Sequence, residues 1–329
     1  LTHSTFAKAR WETDMAARHI RIVERVLTRL KLKQLRLLVA VGKHNNIQNA
    51  ARELNVSQPA ATKMIKDLEL DFEVQLFDRT NRGVVPTPFG EALIRHGKLI
   101  FAQVSNAAQE LDDLNEGSSG RVVIGTLLAA SPQLLPLAIE KVMRERPNVA
   151  IKVVEGTNEI LMPALRSGEI DLVVGRLPTH RHRSEIVQEK LYDERILAVT
   201  GPNHPLANQP DLSFEQLKPF GWIMPLVETS LRRQLDQFFI ERDLYVPPMV
   251  FESVSYLTNR ALMQSQNLIG LMPAHVPAQD IELECLNAID WNVPFGTGPV
   301  GVSYRQEGHP SPVCQAFLDA LHQAAGAMR

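Results

Sequence analysis

The chain has 329 residues, 44% hydrophobic and 22% charged, with a formal net charge of −2. That length and balance exclude a disordered or fibrous chain and call for two or three globular domains. No stretch approaches the ~18 consecutive apolar residues of a membrane span, the first 19 residues are polar throughout, and no signal-peptide core is expected there.

Two cysteines, Cys285 and Cys314, give no disulfide framework and suit a reducing, cytoplasmic setting. The alternative, a redox-sensing pair, would need a depressed thiol pKa, and nothing basic adjoins Cys285. The charge is uneven along the chain. Residues 1–30 hold six Lys/Arg against three Asp/Glu, and residues 31–95 hold ten against seven. Residues 96–120 hold one against four. A basic front third on a neutral-to-acidic body is the distribution expected of a nucleic-acid head joined to a sensor. The excess is small, so tight binding is expected to require oligomerisation.

In chain order, a helix is predicted from about Lys8 to Leu30, with Ile20, Val23, Val26, Leu27 and Leu30 as an apolar stripe and Arg18, Arg21, Arg25 and Arg29 beside it. Such a helix suits DNA or a membrane surface. The alternatives are a helix packed on the head domain and a misassigned start of translation. A second helix follows over Leu32 to Val41, with Leu35, Leu38 and Val39 inward.

Residues 47–69, IQNAARELNVSQPAATKMIKDLE, read as two short helices around a tight corner. Ile47, Ala50, Ala51 and Leu54 mark one buried face; Ala61, Met64, Ile65 and Leu68 mark the next. Ser57 is the expected N-cap of the second helix, with Pro59 in its first turn. Gln58, Thr62, Lys63 and Lys66 are left outside. Small residues at a helix crossing with amide, hydroxyl and ammonium groups outward describe a helix-turn-helix. The alternative is a simple pair of packed helices.

VQLFDRTNRGVVPT then reads as a hairpin anchored by Leu76 and Phe77 and turned at 80–83. It forms a wing that sets Arg79 and Arg82 against phosphates or a minor groove; solvated turn arginines are the alternative. Thr87-Pro88 starts a helix of ~28 residues, roughly 42 Å long. Leu93, Gly97, Ile100, Val104, Ala107, Leu111 and Leu114 recur along it at alternating intervals of four and three, a heptad seam. Leu93, Ile100, Val104, Leu111 and Leu114 are therefore the candidate dimerisation residues, with packing inside the chain as the alternative. Residues 115–120, NEGSSG, form the linker.

From Arg121 strands and helices alternate. Strands are predicted at 121–125, 150–155, 171–175, 195–200, 221–224, 249–254, 267–272 and 299–305; helices at 132–146, 158–168, 229–242, 256–266 and 311–325. The pattern implies an α/β domain with mostly parallel strands. Ligands in such folds sit at strand carboxyl ends near helix N-termini. Four segments meet that rule: Thr126, Leu127 and Leu128 through Ser131; Gly175-Arg176; Pro202-Asn203; and Glu228 with Thr229 and Ser230, ahead of Arg232 and Arg233. With Arg176 among them, an anionic small molecule is favoured. No HExxH, CxxC, GxSxG or Walker A pattern occurs, so catalysis is not expected, nor any cofactor or metal.

The stretch from Leu32 to Ile100, with its LKLKQLRLLVAV, AARELNVSQPAATKMIKDLE and VQLFDRTNRGVVPTPFGEALI runs, resembles the N-terminal domain of LysR-type transcriptional regulators. RVVIGTLL, GEIDLVVGR, HPLA, LIGLMP, PVGVSYR and AFLDAL extend the resemblance over about nine tenths of the chain. Asn45-Asn46 departs from the Gly-Ser usual before the first helix of the motif, although Asn also adopts a left-handed turn and caps helices. Ala61 replaces a larger apolar residue, and residues 1–30 lie outside the pattern.

The resemblance implies an α+β multidomain fold: a winged helix-turn-helix, a long linker helix, and two α/β lobes joined by crossing strands, like a periplasmic solute-binding protein. The domain plan is an extension over 1–30, the DNA-binding head over 31–87, the dimerisation helix and hinge over 88–120, and an effector domain over 121–329. Its lobe one is 121–196 with 300–329, and lobe two is 197–299. The implied partners are an imperfect palindrome in double-stranded DNA, a small-molecule effector such as a sugar, sugar acid or aromatic acid, RNA polymerase, and further copies in a homodimer or homotetramer. Asn46, Ser57, Gln58, Pro59, Ala60, Thr62, Lys63, Lys66, Arg79 and Arg82 are the residues expected to meet DNA. A solute-binding or sensor protein without a DNA-reading role is the competing function.

Overall fold

The computed structural model describes residues 20–81, 83–116, 119–178, 185–244, 249–294, 297–306 and 310–328. The chain divides into two compact units, one ending at Val104 and one beginning at Ser105.

In the first unit, α1 covers residues 20–29; the part predicted from Lys8 to residue 19 lies outside the described residues. Then come α2 (Leu32–His44), α3 (Ile47–Glu53), α4 (Gln58–Phe72), β1 (Phe77–Thr80), β2 (Gly83–Pro86) and α5 (Pro88–Glu116), which runs on past the unit boundary. Asn45 ends α2 in the left-handed region (φ 51°, ψ 26°). Asn46 caps α3, its side-chain oxygen accepting from the Asn49 N–H at 3.0 Å. The Asn pair thus supplies the turn and the cap that the sequence demanded of it. Ala50, Ala51 and Ala61 are buried where α3 and α4 cross, with Leu38, Ile65 and Leu68 in the same core. Ala61 is fully covered, which only a small side chain allows at so close a crossing.

α1 docks on the far end of α4: Arg25 donates to the Leu70 carbonyl at 3.2 Å and pairs with Glu73 at 2.9 Å. A cation at the last carbonyls of a helix complements its dipole. Val26 and Leu30 turn inward, while Ile20, Val23 and Leu27 of the expected stripe are exposed.

The α5 seam divides. Leu93, with Ile94 and Phe101, packs on the core of the first unit. Gly97 is buried, and a Cβ there would meet Val39 at 3.2 Å. The expectation that Leu93 and Gly97 belong to a free seam is corrected: α2 takes that face, and Gly97 permits the close approach. Ile100, Val104 and Leu111 remain exposed at 38%, 51% and 62%. The Leu114 side chain lies outside the described residues.

The second unit comprises β3 (Ser119–Thr126), α6 (Leu134–Glu145), β4 (Asn148–Glu155), α7 (Asn158–Arg166), β5 (Leu172–Arg176), β6 (Ile186–Thr200), α8 (Phe214–Leu217), β7 (Gly221–Met224), α9 (Ser230–Glu241), β8 (Met249–Glu252), α10 (Tyr256–Ser265), β9 (Leu268–Pro273), α11 (Ala278–Glu282), β10 (Asn287–Ile289), β11 (Thr297–Arg305) and α12 (Pro312–Ala327). Strand order is β4-β3-β5-β11-β6-β9-β7-β8, with β10 also on β6. The triplets β4-β3-β5 and β9-β7-β8 are parallel. β11 and β6 run antiparallel to their neighbours, so the mostly parallel sheet expected from the sequence is in fact mixed. β6 serves both halves, pairing with β11 over Ile186–Arg195 and with β9 over Ile196–Thr200. Its first half escaped prediction because Glu189, Asp193 and Glu194 break the apolar alternation. Glu194 is buried and stays paired, at 2.6 Å from His275 Nδ1.

Each half has its own core. α6 and α12 cover one side of the first half around Phe317, Leu134 and Val302. In the second, Phe214, Trp222, Phe238, Phe239 and Trp291 form an aromatic cluster with ring centroids 5.5–6.3 Å apart, a spacing that favours tilted and edge-on contacts. Residues 296–301, GTGPVG, have the glycine spacing of a dinucleotide fingerprint. Their described part, 297–301, lies along β11 rather than in a strand-to-helix turn, so no phosphate cradle follows.

Both cysteines are free thiols. Burial pushes the Cys314 thiol up to about 12, with Asp171 adding to the rise. Native protein at pH 8 is therefore expected to leave Cys314 unmodified by iodoacetamide and to react there only after denaturation, as read by peptide mass spectrometry. Rapid native labelling of Cys314 would contradict the burial.

Candidate functional site

Two surfaces hold the residues singled out from the sequence. On the first unit, the Ser57 hydroxyl caps α4, accepting from the Ala60 N–H at 3.4 Å. This fixes the helix start and leaves Gln58, Pro59, Lys63 and Lys66 exposed, with Ala60 and Thr62 half-buried. Asn46 spends its carbonyl on capping α3.

The wing is tied to this face twice. Glu69 accepts from the Leu76 N–H at 2.8 Å, and the Val84 N–H donates to the Asn45 carbonyl at 3.0 Å. Gly83, at φ 136°, lies so close to Asn45 that a Cβ would stand 2.4 Å from its carbonyl oxygen. Between α4 and the wing runs a groove of about 840 Å³ lined by Thr62, Lys66 and Arg79 among others. Arg82 lies outside the described residues. On the other side of α4 a second groove gathers Arg29, Lys31, Lys33 and Lys63 with Asp67 and Asp71. Sequence reasoning did not place Lys31 and Lys33 beside Lys63, because only the α2–α4 packing brings them together. The arrangement offers hydrogen-bonding side chains along one helix edge with cations on both flanks, which suits a groove of duplex nucleic acid.

In the second unit a cavity of about 480 Å³ opens where the carboxyl ends of six strands converge. Leu127 and Leu128 follow β3, Glu155 to Asn158 end and follow β4, and Arg176 ends β5. Pro225 follows β7, Ser253 follows β8, and Leu271 to Pro273 end β9. Three helix N-caps line it: Thr157 of α7, Thr229 of α9 and Ser255 of α10. Their helix dipoles make the cavity favourable to negative charge.

Of the residues expected here, Leu127, Leu128, Arg176, Thr229 and Ser230 line the cavity. Thr126, Ser131 and Pro202 do not, and these assignments are corrected. The Thr126 and Ser131 hydroxyls lie 3.4 Å apart, and Ser131 donates to the Leu127 carbonyl. Pro202 follows β6, which is antiparallel to β9, so its carboxyl end lies at the opposite edge of the sheet from the cavity. The strand-end rule, applied equally to β4 and β8, would have found Thr157, Asn158, Ser253 and Ser255.

The arginines differ in what holds them. Arg232 is paired with Asp236 at 2.8 Å and Glu252 at 2.7 Å and donates to the Pro225 carbonyl at 3.1 Å. Arg233 donates to the Glu228 carbonyl at 2.7 Å. Arg176 is 7% exposed, and neither of its terminal nitrogens has a hydrogen-bond partner among the described residues. Burial lowers its pKa, with nearby Glu194 acting in the opposite sense. A buried guanidinium without an acceptor is costly and is normally found paired. Gly298 makes room for it: a Cβ there would sit 1.9 Å from Arg176 Nη2. The Tyr256 hydroxyl, also in the lining, is engaged by Asp280.

Residues 32–91 match the family described as bacterial regulatory helix-turn-helix protein, lysR family, and residues 115–326 match the LysR substrate binding domain. Among curated proteins, the chain is 31% identical to the HTH-type transcriptional regulator GbpR of Azospirillum brasilense, over 90% of this chain and 87% of that one. It is 30% identical to the HTH-type transcriptional regulator PcaQ of Agrobacterium fabrum, over 91% of this chain and 96% of that one. Among solved structures, full-length CbnR complexed with its target DNA superposes with a TM-score of 0.62 at 18% identity, over 90% of this chain and 100% of that one. That likeness concerns the fold alone.

Proposed function

The chain belongs to the LysR family of bacterial transcriptional regulators, and we propose that it reads an imperfect palindrome in duplex DNA under the control of a small metabolite held in the cavity of its C-terminal domain. The observation that carries the reading is the pairing of two built surfaces in one chain: a capped helix edge of Gln58, Thr62, Lys63 and Lys66 beside a tethered wing, and a cavity at six strand ends.

In this reading Gln58 and Thr62 address base edges, and Pro59 and Ala60 meet thymine methyl groups. Lys63, Lys66, Arg79 and Arg82 meet phosphates or bases. The exposed Ile100, Val104 and Leu111 pair two copies in a homodimer or homotetramer, so that two recognition helices reach successive major grooves. The metabolite, a sugar, sugar acid or aromatic acid, shifts the balance between arrangements that hold the two heads differently. RNA polymerase is the further partner such a regulator addresses.

Gln58→Ala is expected to cost about 1–3 kcal/mol at one base position and to relax preference there. Arg79→Ala should weaken all sequences alike and lower the salt dependence by about 0.9 in the log–log slope for each phosphate no longer neutralised. Fluorescence anisotropy on specific and scrambled duplexes over a salt series separates the two. Equal losses on both duplexes for Gln58→Ala would remove that residue from base reading.

A further inference from the structure

We infer that α4 is clamped from both flanks, the groove on the side away from the wing being a second DNA-phosphate site held by Lys31, Lys33 and Lys63; this rests on α4 entering a major groove. Two rows of side chains run along the helix. Thr62, Lys66, Glu69 and Glu73 line the groove towards the wing, and Ala60, Met64, Asp67 and Asp71 line the other, of about 590 Å³. The rows repeat one spacing two residues apart, which is roughly 200° around a helix, so they lie on opposite flanks. Pro59 and Lys63 stand exposed between them. A helix is about 10–12 Å across with its side chains and the major groove is about 12 Å wide, so each flank faces one strand's backbone. Arg79 lines the wing side and serves one strand. The other strand meets the far groove.

The cations of this groove come from three helices. Arg29 ends α1, Lys31 and Lys33 stand at the start of α2, and Lys63 lies on α4. The Lys31 N–H donates to Gln34 Oε1 at 2.9 Å, which closes the first turn of α2 and fixes the backbone that carries both lysines. Four cations stand against two carboxylates, and one carboxylate is already matched. Asp71 is buried and faces Arg29 at 3.7 Å. Asp67 is half-buried, whereas Lys31, Lys33 and Lys63 are exposed and form no ion pair among the described residues. Three unmatched ammonium groups around one concave surface attract an anion, and the positive end of the α2 dipole adds to them. Lysine meets phosphate as a point charge, without the planar fork of arginine, so the site supplies affinity and no base preference. Arg29 lies ahead of the family-matched residues 32–91. The extra helix α1, anchored by Arg25 on the far end of α4, therefore removes a buried negative charge from the groove that the lysines line.

The test uses the full chain and fluorescence anisotropy over a salt series, on a duplex enriched from a randomised pool and on a scrambled duplex of equal length. Lys31→Gln combined with Lys33→Gln is expected to weaken both duplexes alike, ~10-fold or more at low salt, and to lower the log–log salt slope by about 0.9 for each phosphate given up. Lys31→Arg combined with Lys33→Arg should keep the parental slope, since charge alone is asked of these positions. Methylphosphonate linkages placed singly along the enriched duplex remove one phosphate charge at a time and locate the contact. The parent should lose affinity at linkages on both strands of a half-site. The double glutamine variant should become indifferent to those on one strand, and Arg79→Ala to those on the other. Melting curves show that each variant is folded. An unchanged slope for the double glutamine variant overturns the second phosphate site while leaving α4 as the reader. So does indifference to the same strand as Arg79→Ala, or a loss confined to the enriched duplex. A parent that enriches no duplex and binds none overturns the DNA-reading role itself.

Discussion

Replacing Val104 and Leu111 together by aspartate is expected to lower affinity for a two-half-site duplex by about two to four orders of magnitude, the gain that linked binding supplies. The reason lies in the divided helix seam. Leu93 and Gly97 are taken up by the head core and by α2, so they stabilise the first unit itself. Ile100, Val104 and Leu111 keep heptad intervals on α5 and are exposed at 38%, 51% and 62%. Large apolar side chains repeated along one edge of a long helix are the seam of a coiled coil. The substitutions put charges on that edge without touching the packed residues. Affinity for a single half-site should therefore stay within about twofold, and sedimentation velocity should show a smaller species. Unchanged assembly with unchanged two-site affinity would place the dimer interface elsewhere.

Gly83→Ala is expected to destabilise the head by about 2–4 kcal/mol, from strained backbone together with steric overlap. Gly83 sits at φ 136°, where side chains are disfavoured. The new Cβ would lie 2.4 Å from the Asn45 carbonyl oxygen, which is also the acceptor for the Val84 N–H. Relief therefore requires the wing to leave the α2–α3 corner. Hydrogen exchange should show protection across residues 32–86 falling ~30- to 1000-fold, with DNA affinity falling in parallel. Protection within about twofold of the parent would contradict the packing of wing against corner.

The head was legible because its signals are local. Ser57 caps, Pro59 follows, and Ala50, Ala51 and Ala61 mark a crossing that tolerates only small side chains. The seam on α5 was legible as a period but not as an allocation: spacing cannot say that Leu93 turns to the head while Val104 turns to solvent. In the second unit, alternation of strands and helices located most elements, but strand direction is a long-range property. The antiparallel course of β6 sends Pro202 away from the cavity and, with β11, makes the sheet mixed. The cavity itself was half legible. Arg176 was singled out by the strand-end rule, whereas its distinction from Arg232 depends on Asp236 and Glu252 arriving to pair with one guanidinium and not the other.

The central claim, that this chain is a sequence-specific reader of DNA working in pairs, is tested most directly by selection of bound duplexes from a randomised pool, followed by sequencing. The account predicts enrichment of an imperfect palindrome whose half-sites lie about one helical turn apart, or a multiple of it, and loss of base preference within the half-site for Gln58→Ala. Recovery of a pool no different from the input, or of a single unpaired half-site bound as tightly as the full site, would contradict it.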